Sequence, residues 1–127
     1  MKKKGYYEYD QPIYPHLLCV GVGLQFEDAK KAFLNNDGTD IEKYDFLNGD
    51  GFTYYGLHIR ETRRKCVLVL FSSSKAMRMN VICHEASHAC DAIEGNIEMK
   101  HGGEPSAYLI GWIAVSYTHL RAHETLM

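Results

Sequence analysis

One nine-residue stretch constrains this chain more than any other feature of its sequence. It reads VICHEASHA over 81–89 and places His84 and His88 four residues apart, with Glu85 directly after the first histidine. On an α-helix this spacing puts both imidazoles one turn apart on the same face. Two imidazoles so placed can bind one zinc ion, and Glu85 can then take a proton from a metal-activated water molecule. The stretch therefore predicts a zinc site.

The residues around this motif predict a long, strongly apolar helix. Serines at 72–74 offer N-cap side chains, and the Gly-Asn pair at 95–96 offers a stop. Ala, Met, Val, Ile and Cys residues between them leave almost no polar face, so we expect the helix to be buried nearly all round. Buried histidines need partners, because unpaired polar groups inside a protein cost several kcal/mol. Hydrogen bonds within the core would satisfy either histidine alone, but they would explain neither the spacing nor Glu85.

Length, composition and charge exclude several classes of protein. The chain has 127 residues, of which 46% are hydrophobic, and this predicts one domain with a modest core. A net charge of −2 gives no electrostatic reason to expect a nucleic-acid partner. No run approaches the roughly 20 apolar residues of a membrane span, and the lysines at 2–4 precede a polar segment instead of a signal-peptide core. We expect a cytoplasmic protein with no nucleic-acid or membrane partner.

The cysteines favour free thiols over disulfides. Cys83 and Cys90 are two turns apart on one helix, too far for a disulfide with each other, and no C-x-x-C pair occurs. We interpret all four cysteines, which include Cys19 and Cys66, as buried thiols in a reducing compartment. Since thiolates bind zinc, Cys83 or Cys90 stays open as a ligand.

The remaining segments predict a small α+β fold. The apolar run 16–22 favours a buried strand, and 25–34 has the periodicity of an amphipathic helix. The segments 52–60 and 65–71 are the clearest strands, joined by a short turn with a basic, solvated tip. Residues up to Pro15 predict an extended arm. If the neighbour of strand 65–71 lies at the sheet edge, it could hold an extended peptide beside the zinc.

A catalytic zinc site with two histidines needs a third protein ligand that leaves one position open for water. The acidic and histidine residues downstream are Asp91, Glu94, Glu98, His101 and Glu104. Asp91 could hydrogen-bond an imidazole, whereas Glu94 and Glu98 are expected at the solvated surface. Glu104 opens the next helix, in whose first turn Pro105 fits, and that helix must return to pack on the first. We therefore favour Glu104 as the third ligand and His101 as the next choice.

The motif and the residues after it resemble those of a known family. His-Glu-x-x-His followed by Gly103-Glu104 and by Ala107-Tyr108-Leu109 is similar to the zincin metallopeptidases of the gluzincin type. More narrowly, the chain resembles small zincin-like proteins of phages and prophages, with two strands just before the metal helix. This narrower resemblance implies the cytoplasm of a bacterium or of a phage-infected cell. The resemblance covers roughly 15–114, although the gap from the second histidine to the glutamate is shorter than in the large peptidases.

This resemblance implies a minimal zincin-like domain, in which a small β-sheet packs on the metal helix and a following helix. It implies a zinc-dependent peptidase with a peptide or protein substrate, in which His84, His88 and Glu104 bind zinc. Glu85 is the general base, and Tyr108 could stabilise an oxyanion. The alternative is a non-catalytic binding protein with a structural metal. Such a site would be closed by a further ligand such as Cys83, Cys90 or His101.

The last residues have a different character from the apolar helix before them. From Ser116 the chain reads SYTHLRAHET, which resembles the translated sequencing-adapter remnant found at the ends of metagenomic reading frames. This predicts a domain over 1–115 and a non-native tail over 116–127. His119 and His123 are also four residues apart, but no glutamate follows the first, so we predict no catalytic pair there.

Overall fold

The computed structural model describes residues 3–11, 14–43 and 49–126. In chain order its elements are β1 (Tyr6–Asp10), β2 (Leu17–Val22), α1 (Phe26–Ala32), β3 (Phe33–Asn35), β4 (Gly51–Ile59), β5 (Lys65–Phe71), a 3₁₀ turn (Ser74–Ala76), α2 (Met79–Asn96) and α3 (Gly103–Thr125). The strands form one sheet in the order β1-β2-β5-β4-β3, in which only β2 and β5 run parallel. The predicted α+β class is confirmed.

The two central strands are buried on both faces because helices and loops cover the sheet on both sides. Every residue of β2 is buried, as is every residue of β5 after Lys65. Successive side chains of a strand point to opposite faces. Leu18, Val67 and Val69 therefore pack in the core formed with α2 and α3. The residues between them in the strands pack instead with Ala29 of α1 and with β3.

Most predicted elements are present, with shifted ends. The strands expected over 16–22, 52–60 and 65–71 correspond to β2, β4 and β5. The helix expected to reach residue 34 ends earlier, because Phe33 has an extended backbone and pairs with Ile59 of β4. The expected N-terminal arm contains β1, an edge strand paired with β2. Residues 44–48 of the loop expected before β4 lie outside the described residues.

The start and the burial of the metal helix differ from the prediction. Ser73 caps the 3₁₀ turn, where its Oγ accepts a hydrogen bond from the Ala76 N–H, and α2 begins only at Met79. The sheet and α3 each cover one side of α2, and a third side stays open. His84 and Cys83 are consequently exposed, so the expectation of a helix buried nearly all round is wrong. All four cysteines are free as expected. Cys19, Cys66 and Cys90 are buried, whereas the expectation of a buried thiol is wrong for Cys83.

The last helix continues past the boundary expected at residue 115. Ser116, Tyr117 and Leu120 are buried in the second half of α3, and the Tyr117 ring meets Phe71 edge-on at a centroid distance of 5.3 Å. The segment is thus packed against the sheet, and its adapter origin stays a prediction. None of the helices in the described ranges is both long and apolar enough to cross a membrane.

Tyr117→Phe should stabilise the protein. The Tyr117 hydroxyl is fully buried and has no hydrogen-bond partner among the described residues. An unsatisfied buried polar group costs about 1–3 kcal/mol, while phenylalanine keeps the ring contact with Phe71. We expect the free energy of unfolding in urea to rise by about 1 kcal/mol. A fall in stability would show that the hydroxyl has a partner after all.

His16 should make the metal-free protein less stable in mild acid. Burial, followed by the charges of Lys65 and Arg64, lowers the pKa of His16 to about 4. Asn96 Nδ2 donates to His16 Nε2 across 3.3 Å, a contact that only an unprotonated Nε2 can accept. The unfolded chain, with a histidine pKa near 6.5, therefore binds a proton that the folded chain does not bind between these two values.

This difference predicts a loss of about 3 kcal/mol of unfolding free energy as the pH falls from about 6.5 to 4. The measurement is urea unfolding across this range in the presence of chelator, so that metal release does not contribute. His16→Gln should flatten this part of the profile, whereas His119→Gln, at an exposed position on α3, should leave it unchanged. An identical profile in wild type and His16→Gln would contradict the assignment.

Candidate metal centre

The motif histidines form a close pair on the open side of α2. Nε2 of His84 lies 3.1 Å from Nε2 of His88, and the ring centroids are 4.6 Å apart. Two nitrogen ligands of a tetrahedral zinc, each at about 2.0–2.1 Å, would be separated by about 3.3 Å. The histidine pair (His84 and His88) is therefore spaced as two ligands of one ion.

A tyrosine of the sheet holds the second imidazole. The Tyr55 hydroxyl lies 3.0 Å from Nδ1 of His88. When Nε2 of a histidine binds a metal, Nδ1 keeps its proton and donates it to such a partner, which fixes the ring orientation. Burial, and then the charges of Asp91 and Glu85, raise the pKa of Tyr55, so its hydroxyl stays protonated.

Glu85 points from the same helix toward the sheet. Its side chain is buried, with 4% exposed, and its Oε1 accepts a hydrogen bond of 2.7 Å from Thr53 Oγ1 on β4. Because this contact joins residues 32 positions apart, it holds the carboxylate against the strand. The carboxylate is thus positioned beside the histidine pair by the sheet.

Gly51 leaves the space that this carboxylate occupies. A Cβ at position 51 would lie 2.8 Å from Cγ and 3.0 Å from Oε2 of Glu85. The first of these distances is shorter than real Cβ contacts, and Glu85 has little room to move because Thr53 holds it from the strand. Position 51 therefore needs glycine for close packing and not for an unusual backbone angle.

Gly51→Ala should destabilise the protein and displace Glu85. We expect a loss of about 1–3 kcal/mol in unfolding free energy, the usual effect of overpacking a filled site. Gly111→Ala is the matched control, since Gly111 is an exposed position within α3 with open space around its Cα. That control should gain about 0.5–1 kcal/mol, because alanine favours helix more than glycine does. Equal changes in the two variants would refute the steric argument.

A cleft of about 390 Å³ lies over the histidine pair. Its lining residues are Gly51, Phe52, Thr53, Tyr55, His84, Glu85 and His88. One wall of the cleft is therefore β4 and the other is α2. No sequence pattern identified Gly51, Thr53 or Tyr55 as site residues. They alternate along one strand and so share a face, but only the pairing of β4 shows that this face meets the motif.

Two predicted site residues lie elsewhere. Glu104 and Tyr108 line a separate groove with Gln11, Tyr14 and Trp112, and the Tyr108 side chain is 75% exposed. Among the described residues, no third imidazole, thiol or carboxylate atom lies within 4.8 Å of both Nε2 atoms of the histidine pair. The structure thus brings the pair and Glu85 together and leaves Glu104 and Tyr108 apart from them.

The other downstream candidates form a cluster of their own. Asp91, Glu94 and His101, here called the distal cluster, place ligand-type atoms within 4.8 Å of one another. Nδ1 of His101 lies 2.9 Å from Glu94 Oε1 and 3.7 Å from Asp91 Oδ1. Glu94 is 1% exposed, so the expectation that it lies at the solvated surface is wrong. It is buried because the start of α3 packs over the end of α2 at this point.

Cys90 belongs to the distal cluster's surroundings and not to the histidine pair. Its Sγ lies 3.5 Å from Glu94 Oε1 and 3.8 Å from the carbonyl oxygen of Ser106. Burial, and then the nearby charge of Glu94, raise the pKa of the Cys90 thiol to about 12. At neutral pH it is therefore a protonated thiol, which is a poor metal ligand.

Compared with protein-family models, with curated proteins and with solved structures, the chain matches none of them. The zincin resemblance rests on the motif and its neighbouring residues, and it stays a prediction. What the described structure adds is the geometry of one site: two imidazoles at metal-ligand spacing, with a buried carboxylate beside them.

Proposed function

We propose that this chain is a zinc-dependent hydrolase that cleaves peptide bonds, with the histidine pair as metal ligands and Glu85 as general base. The observation that carries the proposal is the 3.1 Å separation of the two Nε2 atoms. The partners of the site support it. Tyr55 orients His88 through Nδ1, and Thr53 holds Glu85 in the same cleft.

A bound zinc ion would lower the pKa of a coordinated water molecule and polarise the carbonyl group of the substrate. The protein's own part in the reaction is proton transfer and positioning. Glu85 would accept the proton of the attacking water and return it to the leaving amine. Thr53 occupies Oε1 of Glu85, so Oε2 is the oxygen available for this exchange.

The edge of the sheet supports a peptide as the substrate. β3 pairs with β4 only at Leu57–Ile59, so no strand in the described part of the chain covers the outer edge of β4 over 51–55. Thr53 and Tyr55, which contact the motif, lie within this uncovered segment. An extended peptide that paired with the edge as an added strand would pass beside the histidine pair.

The number of protein ligands around the zinc ion distinguishes the proposed hydrolase from the alternative, a binding protein with a structural metal. Catalytic zinc has three protein ligands and structural zinc has four. Glu104 stays the sequence-based prediction for the third, although its groove is separate from the cleft. Among the described residues no further ligand lies near the pair. The hydrolase lacks one protein ligand and a structural site lacks two, so we favour the hydrolase. The four free thiols support the predicted cytoplasmic location.

Mass spectrometry of cleavage products tests this function. The zinc-loaded protein is incubated with a pool of unfolded proteins, and new amino termini are identified before and after chelation. We expect new termini with zinc, their disappearance with chelator, and their return when zinc is added back. Unchanged termini after chelation, or none with the zinc-loaded protein, would count against the proposal.

A further inference from the structure

The distal cluster combines residue types that bind transition metals. It contains one imidazole and two carboxylates, the ligand types common in zinc sites of proteins. Asp91 and Glu94 come from the last turns of α2, and His101 comes from the turn that leads into α3. The three side chains therefore approach one point from two segments of the chain.

The distances within the cluster match a coordination sphere. Ligand atoms at about 2.0–2.2 Å from a tetrahedral ion lie about 3.3–3.5 Å from each other. The separations of His101 Nδ1 from Glu94 Oε1 and from Asp91 Oδ1, 2.9 and 3.7 Å, fall on either side of that value. The ligand atoms of Asp91 and Glu94 also lie within 4.8 Å of each other, so side-chain adjustments would bring all three groups around one ion.

Glu94 gives the cluster a buried carboxylate, with only 1% of the residue exposed. Its Oε1 lies 2.9 Å from His101 Nδ1 and accepts from the Cys90 thiol, while Ser106 Oγ donates to its Oε2. The His101 side chain is 60% exposed, so this contact is shared with solvent. A divalent ion held between Glu94, Asp91 and His101 would give the buried carboxylate a fixed partner of opposite charge.

We propose that Asp91, Glu94 and His101 bind a second transition-metal ion, most suitably Zn²⁺, which ties the turn after α2 to the helix. A solvent-open cleft of about 290 Å³ lies over the cluster and gives water access to the remaining coordination position. The mixture of imidazole and carboxylate ligands favours Zn²⁺ over Mg²⁺ and Ca²⁺, which prefer all-oxygen sites. The site uses none of the residues assigned to hydrolysis, so this proposal can be tested independently of the proposed function.

Metal content of paired variants tests the proposal. His84→Ala/His88→Ala removes the first site, and Asp91→Asn/His101→Ala removes the second. The side chains of Asp91 and His101 are 55% and 60% exposed, so their replacement should leave the core intact, which circular dichroism checks. After zinc loading and gel filtration, we expect about two zinc ions per wild-type chain and about one in each double variant.

The outcomes separate the two sites. Zinc at wild-type content in Asp91→Asn/His101→Ala, or no zinc in a folded His84→Ala/His88→Ala variant, would overturn the second site. Suppose that His84→Ala/His88→Ala keeps the full wild-type zinc content and Asp91→Asn/His101→Ala loses zinc. This result would support the second site and refute the first. His119→Ala, an exposed histidine on α3, is the matched control and should keep the wild-type zinc content. Displacement of Zn²⁺ by equimolar Mg²⁺ or Ca²⁺ would overturn the transition-metal assignment.

Discussion

Glu85→Gln should lower peptide hydrolysis by about 10²-fold or more while the zinc content stays near that of the wild type. Glutamine has nearly the same shape, and its amide oxygen can still accept the hydrogen bond that Thr53 donates to Oε1. The variant therefore keeps the packing against Gly51 but loses the group that exchanges a proton. Its effect should fall on kcat more than on KM, because the interaction is made in the transition state.

The measurement is kcat/KM on a peptide identified from the cleavage products, together with zinc analysis of the same preparation. Glu61→Gln is the matched control, since Glu61 is an exposed carboxylate at the turn between β4 and β5. It should leave both quantities unchanged. Loss of zinc from Glu85→Gln would make Glu85 a ligand, and undiminished hydrolysis would remove it from the mechanism.

His84→Ala should abolish the stabilisation of the protein by zinc at the histidine pair. Metal binds the folded site and has no comparable site in the unfolded chain, so its binding free energy adds to folding stability. With free zinc at about 1,000 times Kd, this contribution is about 4 kcal/mol. His84 is exposed, so its removal should change the stability of the metal-free protein little.

Thermal unfolding with zinc and with chelator measures this effect. The comparison is made in the Asp91→Asn/His101→Ala background, so that the distal cluster does not contribute. We expect a zinc-dependent rise in Tm with the intact histidine pair and none after His84→Ala. Superimposable curves with and without chelator in the intact pair would show that no tight metal site exists there.

Glu104→Ala in the same assay decides the third ligand. The resemblance to gluzincins predicts a loss of zinc stabilisation as large as that of His84→Ala. The described geometry, in which Glu104 lines a separate groove, predicts no loss. Glu98→Ala tests whether any loss comes merely from removing a negative charge at the turn between α2 and α3.

Local sequence determined the parts of this protein that depend on neighbours within one element. A short apolar run was enough to predict β2, and β-branched and aromatic residues were enough to predict β4 and β5. The apolar run after Pro105 was enough to predict α3. The close approach of His84 and His88 follows from the same kind of rule. Residues four apart on a helix are adjacent whatever surrounds the helix. Metal-ligand spacing within α2 could therefore be predicted without knowledge of the fold.

Tertiary structure alone decided which other groups complete the site. Thr53 and Tyr55 face the motif because of the pairing of β4 with β5, including a bulge after Tyr54 at which Gly56 has a φ of 63°. The location of Glu104 depends on how α3 packs against α2 after the left-handed backbone of Gly102 and Gly103. These contacts join residues distant in sequence.

The burial of Glu94 and the exposure of His84 have the same origin. A helical pattern shows which residues share a face, but the sheet and the neighbouring helix determine which faces are covered. On α2 the sheet covers the side that carries Glu85, and α3 covers the side that carries Glu94, while His84 stays open to solvent. The sequence by itself determined the spacing of the histidine pair. Only the packing of α2 between β4 and α3 decided the surroundings of that pair, because burial depends on long-range contacts that no local pattern encodes.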